Sequence, residues 1–364
     1  MMNTVQFHLP PLLEHADGTL VTRASWPRRR EELLTLFARH VYGIAPDIHL
    51  YGLRGRCVDR NTAACGGKNI REEYFLHVEA DRSIPPMRLY VWRPRQESSA
   101  PAILMLDPFW GVLHQNEPPE YLYSFFPADI ITDNGIVAVQ ILCGDVCADD
   151  PRLCREGILG TPTGRADEWG AIGAWAWCAS RALEFLTQSG IADATRTAIA
   201  GCSRAGKAAL WCGACDERFS AIFANVSGLG GAAITRGKTG EHIADITQNY
   251  PYWFCPQYAC YSSCEDALPV DQHMLLALAA PRALYIASAS EDAWADPQAE
   301  YCALTMAAQA YSLLGQEVDL PARLPAGGRP VHSGPVGYHL RQGAHDLTPQ
   351  DWRCYLAFLR TIWT

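Results

Sequence analysis

The spacing of hydrophobic positions changes several times along the chain, and each change marks an element. Leu33, Leu34, Phe37 and Val41 recur at helical spacing. They predict a helix over 26–42, with Pro27 in the first turn, where its missing N–H costs nothing. Short apolar runs then predict strands over 73–78, 87–92, 102–106 and 135–142. The last two are nearly continuous, as in strands buried on both faces of a parallel sheet. A helical pattern over 167–187 follows. Strand and helix alternate from there: strand 197–201, a helix from 203, strand 221–226, helix 272–280, strand 283–288, helix 298–314, strand 336–341 and helix 349–363. This alternation implies βαβ units, hence an α/β fold with a mostly parallel sheet and helices on both faces. Strands before residue 102 are expected to form its antiparallel edge. A polar stretch rich in glycine and aromatic residues, about 228–269, interrupts the pattern, and no linker divides the chain. A single domain over 1–364 is expected, with that stretch as an insertion contributing to the substrate site.

Composition narrows the function. With 364 residues, 49% of them hydrophobic, a large core is available without disulfides or metal. Lys+Arg 30 against Asp+Glu 39 gives a net charge of −9. Without a basic cluster, that argues against a nucleic-acid partner. The densest basic run, Arg28 to Arg30, is followed by Glu31 and Glu32 and reads as a solvated helix face. No apolar run approaches the roughly 20 residues of a membrane span. The N-terminus lacks the basic and then apolar regions of a signal peptide. The sequence as it stands therefore reads as cytoplasmic, and as secreted or periplasmic if it has been trimmed. Of 14 cysteines, Cys178, Cys202, Cys302 and Cys354 lie in apolar stretches, where a thiol acts as a small hydrophobe. Cys212 and Cys215 have C-x-x-C spacing, but no second pair follows to complete a zinc site. Cys143, Cys147 and Cys154, and likewise Cys255, Cys260 and Cys264, are the better disulfide candidates. Free thiols are expected for most.

The chemistry concentrates in AIAGCSRAGK, residues 198–207. An apolar strand runs into a helix through Ser203, with Gly201 two before it and Ala205 two after. Such a turn holds a serine oxygen proud of the sheet edge. It also puts the backbone N–H of Arg204 at a helix N-terminus, where an oxyanion is favoured. An ordinary N-cap serine is the plainer alternative. A nucleophilic serine needs a base, and the base needs an acid to orient it. In α/β-hydrolases these follow in the order serine, acid, histidine, from loops after strands. Strand 283–288 runs into Ser290, Glu291 and Asp292, and strand 336–341 into Gly343, Ala344 and His345. Ser203, Asp292 and His345 are thus the expected triad, with Glu291 the competing acid. His339 lies within a strand and reads as structural, Asp346 as a turn residue, and His273 as structural or pocket-lining. Thr348 with Asp351 forms a capping box.

Further stretches carry a family resemblance: GCSRAGKAALW (201–211), WGAIGAWAW (169–177), SRALEFL (180–186), SGLGGAA (227–233), TGEHI (239–243), YPYWF (250–254), LPVDQHMLLALAAPR (268–282) and SEDAWADP (290–297). Across roughly the C-terminal two-thirds, the chain resembles the glucuronoyl esterases of carbohydrate esterase family 15. The resemblance implies an α/β-hydrolase three-layer sandwich. The implied activity is a serine esterase that cleaves the ester between (4-O-methyl)glucuronic acid of xylan and lignin alcohols. Arg204 would then bind the oxyanion, Lys207 and Glu241 would meet sugar hydroxyls, and Trp294 would stack on the ring. Lys207 and Glu241 would otherwise read as a surface ion pair. Many family members carry the acid as a glutamate just before S-G-x-G-G, where this chain has Val226, so the role falls to Asp292. Glucuronate esters and glucuronoxylan–lignin fragments are the expected partners of a monomer with neither metal nor cofactor. An acetyl-xylan esterase, an acyl-peptidase and an inactive carbohydrate-binding homologue are the alternatives.

Overall fold

A computed structural model describes residues 9–46, 52–79, 83–95, 99–108 and 125–363. Residues 1–8, on which the signal-peptide expectation partly rests, lie outside them. The strands are β1 Leu53–Ala64, β2 Asn69–Val78, β3 Met87–Pro94, β4 Ala100–Leu106, β5 Val137–Leu142, β6 Ala192–Cys202, β7 Ala221–Asn225, β8 Ala283–Ala289, β9 Val331–Ser333 and β10 Val336–Arg341. The helices are α1 Trp26–Phe37, α2 Ala128–Thr132, α3 Ala171–Gln188, α4 Arg204–Cys215, α5 Ile243–Asn249, α6 Pro256–Ala259, α7 Gln272–Ala277, α8 Pro297–Leu313 and α9 Pro349–Ile362.

The strands form one sheet in the order β1-β2-β3-β5-β4-β6-β7-β8-β10-β9. Pairing is parallel from β5 to β10, while β1, β2 and β3 form the expected antiparallel edge. β5, β7 and β8 are buried throughout, which is why their sequences are nearly continuous apolar runs; the polar exceptions, Gln140, Asn225 and Ser288, are each hydrogen-bonded to a side chain. One core lies under α3, α4 and α8, with Trp175 fully buried; the other lies under α9, with Trp352 fully buried.

Several expectations need adjustment. The long helix begins at Ala171, not 167, because its first free N–H groups are satisfied elsewhere: Ala171 and Ile172 donate to the carbonyls of Tyr252 and Trp253 at 2.9 and 3.1 Å. The α7 helix stops at Ala277. After α1, residues Ala38–Tyr42 form a π-helical turn. Arg29 is not on a solvated face. It is buried and donates to the carbonyls of Leu12 and Pro11, at 3.0 and 2.9 Å. Neither group singled out as disulfide candidates is bridged: Cys143, Cys147 and Cys154, and Cys255, Cys260 and Cys264, are all free thiols. Among the described residues, no helix is long and apolar enough to cross a membrane.

Candidate active site

Ser203 sits at the junction of β6 and α4 with φ 57° and ψ −124°, a conformation that side chains rarely adopt. Packing enforces it. A Cβ at Gly201 would come within 2.1 Å of the Ala205 carbonyl oxygen, so strand and helix can cross this closely only with glycine there. The Ser203 N–H donates to Asn225 O at 2.9 Å, and its carbonyl accepts from Lys207 N at 3.1 Å. Its side chain makes no capping bond, unlike an ordinary N-cap serine.

The loops after β8 and β10 meet beside it. His345 Nδ1–H donates to Asp292 Oδ2 at 2.6 Å, and Asp292 Oδ1 accepts from Ala295 N at 3.1 Å. The carboxylate is buried at 4% side-chain exposure, whereas the imidazole is 47% exposed. Burial alone would raise the Asp292 pKa, but the bond from His345 and its charge hold it below the ordinary carboxylate value. Glu291 is exposed, and only its backbone N–H, bonded to Gly343 O, ties it to this corner. A cavity of about 270 Å³ opens above Ser203, Asp292 and His345. Arg204, Lys207, Glu241, Trp253 and Trp294 also line it.

Arg204 is held on two sides. One guanidinium nitrogen pairs with Asp149 Oδ2, and the group lies over Trp253, 4.4 Å from the ring centre. Asp149 in turn accepts from Tyr252 Oη and Trp253 Nε1 at 2.8 and 2.9 Å. Those aromatic residues are fixed in place by the N-terminus of α3. A Cβ at Gly170 would come within 2.3 Å of the Trp253 carbonyl, so the close approach of the two segments requires glycine there. Lys207 and Glu241 are buried, not a surface pair. Lys207 Nζ donates to Ser227 O at 2.7 Å and Leu229 O at 2.5 Å, and lies 3.9 Å from Glu241. Burial pulls its pKa down to about 8. Trp294 is 55% exposed at the lip of the cavity.

The family model for fungal glucuronyl esterases matches residues 124–315. A carbohydrate esterase from an unknown prokaryotic organism is 33% identical over 97% of this chain and 89% of its own length. The chain belongs to the glucuronoyl esterase family. The glucuronoyl esterase from Solibacter usitatus superposes with a TM-score of 0.91 at 32% identity, over 99% of both chains. The 4-O-methyl-glucuronoyl methylesterase of Podospora anserina is 35% identical over 84% of this chain, which spans 60% of that longer protein. Like its relatives, this esterase is an α/β-hydrolase and a carboxylic ester hydrolase.

Against that family pattern, Val226 lines the cavity at φ 40° and offers no carboxylate. The other candidate histidines lie elsewhere. His339 is buried and bonds Asp351 Oδ1 at 2.7 Å, and His273 bonds Pro10 O at 3.1 Å and does not line the cavity. Asp346 accepts from Leu347 N, as a turn residue does. Asp351 completes the cap of α9 with Thr348.

Sequence reasoning missed two carboxylates. Asp149 carries no motif, and its partner Arg204 lies 55 residues away. Glu300, on the first turn of α8, looks like a surface helix residue but is fully buried. It accepts from Gly228 N at 2.9 Å, Ser227 Oγ at 3.3 Å and Ser288 Oγ at 2.6 Å. Lys207 grips the carbonyls of the same turn, so the floor of the site is clamped from both sides.

Burial raises the Glu300 pKa from 4.5 to about 7. Between those values the folded protein keeps a proton that the unfolded chain has lost, so stability should fall as pH rises through the window. The full cost, on the order of 3 kcal/mol, should be present above it. Glu300→Gln should flatten this slope, as read from melting temperatures across pH 5–8. An unchanged slope would refute the assignment.

Proposed function

We propose that this esterase hydrolyses the ester joining (4-O-methyl)glucuronic acid of glucuronoxylan to an alcohol such as those of lignin. We further read it as one α/β-hydrolase domain with an insertion at about 228–269. Gly228, Glu241, Tyr250 and Trp253 on the cavity wall support a substrate role for that insertion. The observation that carries the mechanism is the 2.6 Å bond from His345 to the buried Asp292, facing the same cavity as Ser203.

His345 Nε2 takes the Ser203 proton as the hydroxyl oxygen attacks the ester carbonyl. Asp292 holds the tautomer that leaves Nε2 free to do so and stabilises the imidazolium that forms. The tetrahedral oxyanion is met by the Arg204 backbone N–H at the start of α4 and by its guanidinium. The alcohol leaves with the proton from His345, giving a glucuronoyl-serine. Water, deprotonated by His345, then releases glucuronate and restores the serine.

Lys207 has three N–H donors and spends two on carbonyls, leaving one for Glu241 or a sugar hydroxyl. The exposed Trp294 offers a flat apolar face to the ring. The test compares a methyl or benzyl ester of glucuronate with an aryl acetate. A large preference for the uronate is expected, and Lys207→Ala or Glu241→Ala should raise KM for the uronate about tenfold or more, the loss of a buried charge-assisted bond. Equal rates on both esters would refute the substrate assignment.

A further inference from the structure

β1 is the outer strand of the sheet, so among the described residues one of its edges has no neighbour. Arg54 and Arg56, two residues apart, share one of its faces. On the other face, a Cβ at Gly55 would meet the Phe185 ring of α3 at 2.1 Å. The two arginines therefore lie on the face away from α3, registered with His77 and Phe75 of β2. Both line a groove of about 840 Å³ with His77, Ile84, Pro85 and Pro86.

Neighbouring arginines on this part of the sheet have carboxylate partners: Arg88 with Asp145 at 2.7 Å, Arg93 with Glu72 at 2.9 Å and Arg71 with Asp59 at 2.5 Å. Arg54 and Arg56 have none among the described residues. Glu79 also lines the groove but forms no ion pair with either. Two guanidinium groups with no carboxylate partner among the described residues thus share a groove on a chain of net charge −9.

The groove also opens at the same end of the sheet as the active site. Arg56 registers with Phe75, Phe75 with Arg88, and Arg88 with Leu142, the last residue of the parallel strand β5. The loops bearing Ser203, Asp292 and His345 leave the sheet at this same carboxyl end. Five inter-strand steps separate β1 from β6, about 24 Å at the usual strand spacing.

We propose that this groove binds free uronate carboxylates on the polysaccharide being de-esterified. The inference rests on the glucuronoxylan reading above. The reacting ester is neutral, but each turnover leaves a carboxylate on the xylan chain. Guanidinium groups pair with carboxylates through two parallel hydrogen bonds. A product uronate in the groove would hold the chain while another ester, several sugars away, occupies the cavity.

The test is affinity electrophoresis in 4-O-methylglucuronoxylan and in uncharged arabinoxylan, alongside kinetics on polymeric and small esters. The wild type should be retarded by the glucuronoxylan, less so at high salt, and not by arabinoxylan. The double variant Arg54→Ala/Arg56→Ala should lose that retardation. Its KM on the polymer should rise about three- to tenfold, the effect of two exposed ion pairs. Its kinetics on methyl glucuronate should match wild type. Retardation equal in variant and wild type, equal retardation by arabinoxylan, or no retardation of the wild type would overturn the proposal. The gel needs no turnover, so failure to hydrolyse the small uronate ester would count against the substrate reading alone.

Discussion

Replacing Ser203 by alanine should lower turnover of a glucuronate ester by about 10⁶-fold, as removal of the nucleophile does in other serine hydrolases. Binding should survive, because Arg204, Lys207, Glu241 and Trp294 line the cavity independently of the hydroxyl. The residual rate would come from the oxyanion donors and substrate positioning alone. The strained backbone at Ser203 comes from the crossing of β6 and α4 and not from the side chain, so the fold should be unaffected. Single-turnover kinetics with a chromogenic glucuronate ester, with binding measured by calorimetry, separates the two effects. A Ser203→Ala protein as active as wild type would mean another mechanism. If neither protein turned over a glucuronate ester while both bound sugar, the glucuronate-ester substrate reading would fail.

The second large effect should come from Asp292→Asn, a drop of about 10⁴-fold by analogy with other triads. The amide keeps the size of the side chain but can present its NH₂ to Nδ1, which favours the tautomer with Nε2 protonated and unable to take the serine proton. Nor can a neutral amide stabilise the imidazolium. Glu291→Gln should stay within a few-fold of wild type, since Glu291 is exposed and no bond joins its side chain to His345. Val226→Glu in the Asp292→Asn background tests the alternative acid position. If Asp292→Asn alone kept near-normal turnover, the acid would have to come from elsewhere.

Much of this was legible in the sequence because the physics is local. A strand buried on both faces must be apolar at nearly every position, so β4, β5, β7 and β8 could be read directly. The nucleophile elbow needs small residues two before and two after the serine, which is a ten-residue signal. Catalytic loops in an open α/β sheet leave from the carboxyl ends of strands, so the acid and histidine could be sought at the ends of β8 and β10. By contrast, β1 reads LRGRCVDRNTAA and is mostly exposed, and an edge strand with little to bury leaves no periodic mark.

What the sequence could not supply were the pairings set by packing. Two histidine–aspartate hydrogen bonds exist near the end of the chain, at 2.7 Å for His339 and Asp351 and at 2.6 Å for His345 and Asp292. Only the burial of the first and the open face of the second separate a structural pair from the one proposed to be catalytic. Lys207 and Glu241 have the composition of a surface ion pair, and burial makes them part of the cavity wall. Asp149 and Glu300 carry no local signal, because their partners arrive from distant segments. Residue types, order and strand ends are written along the chain. Desolvation and long-range partners are decided by which surfaces the folded chain brings together, and that required the tertiary structure.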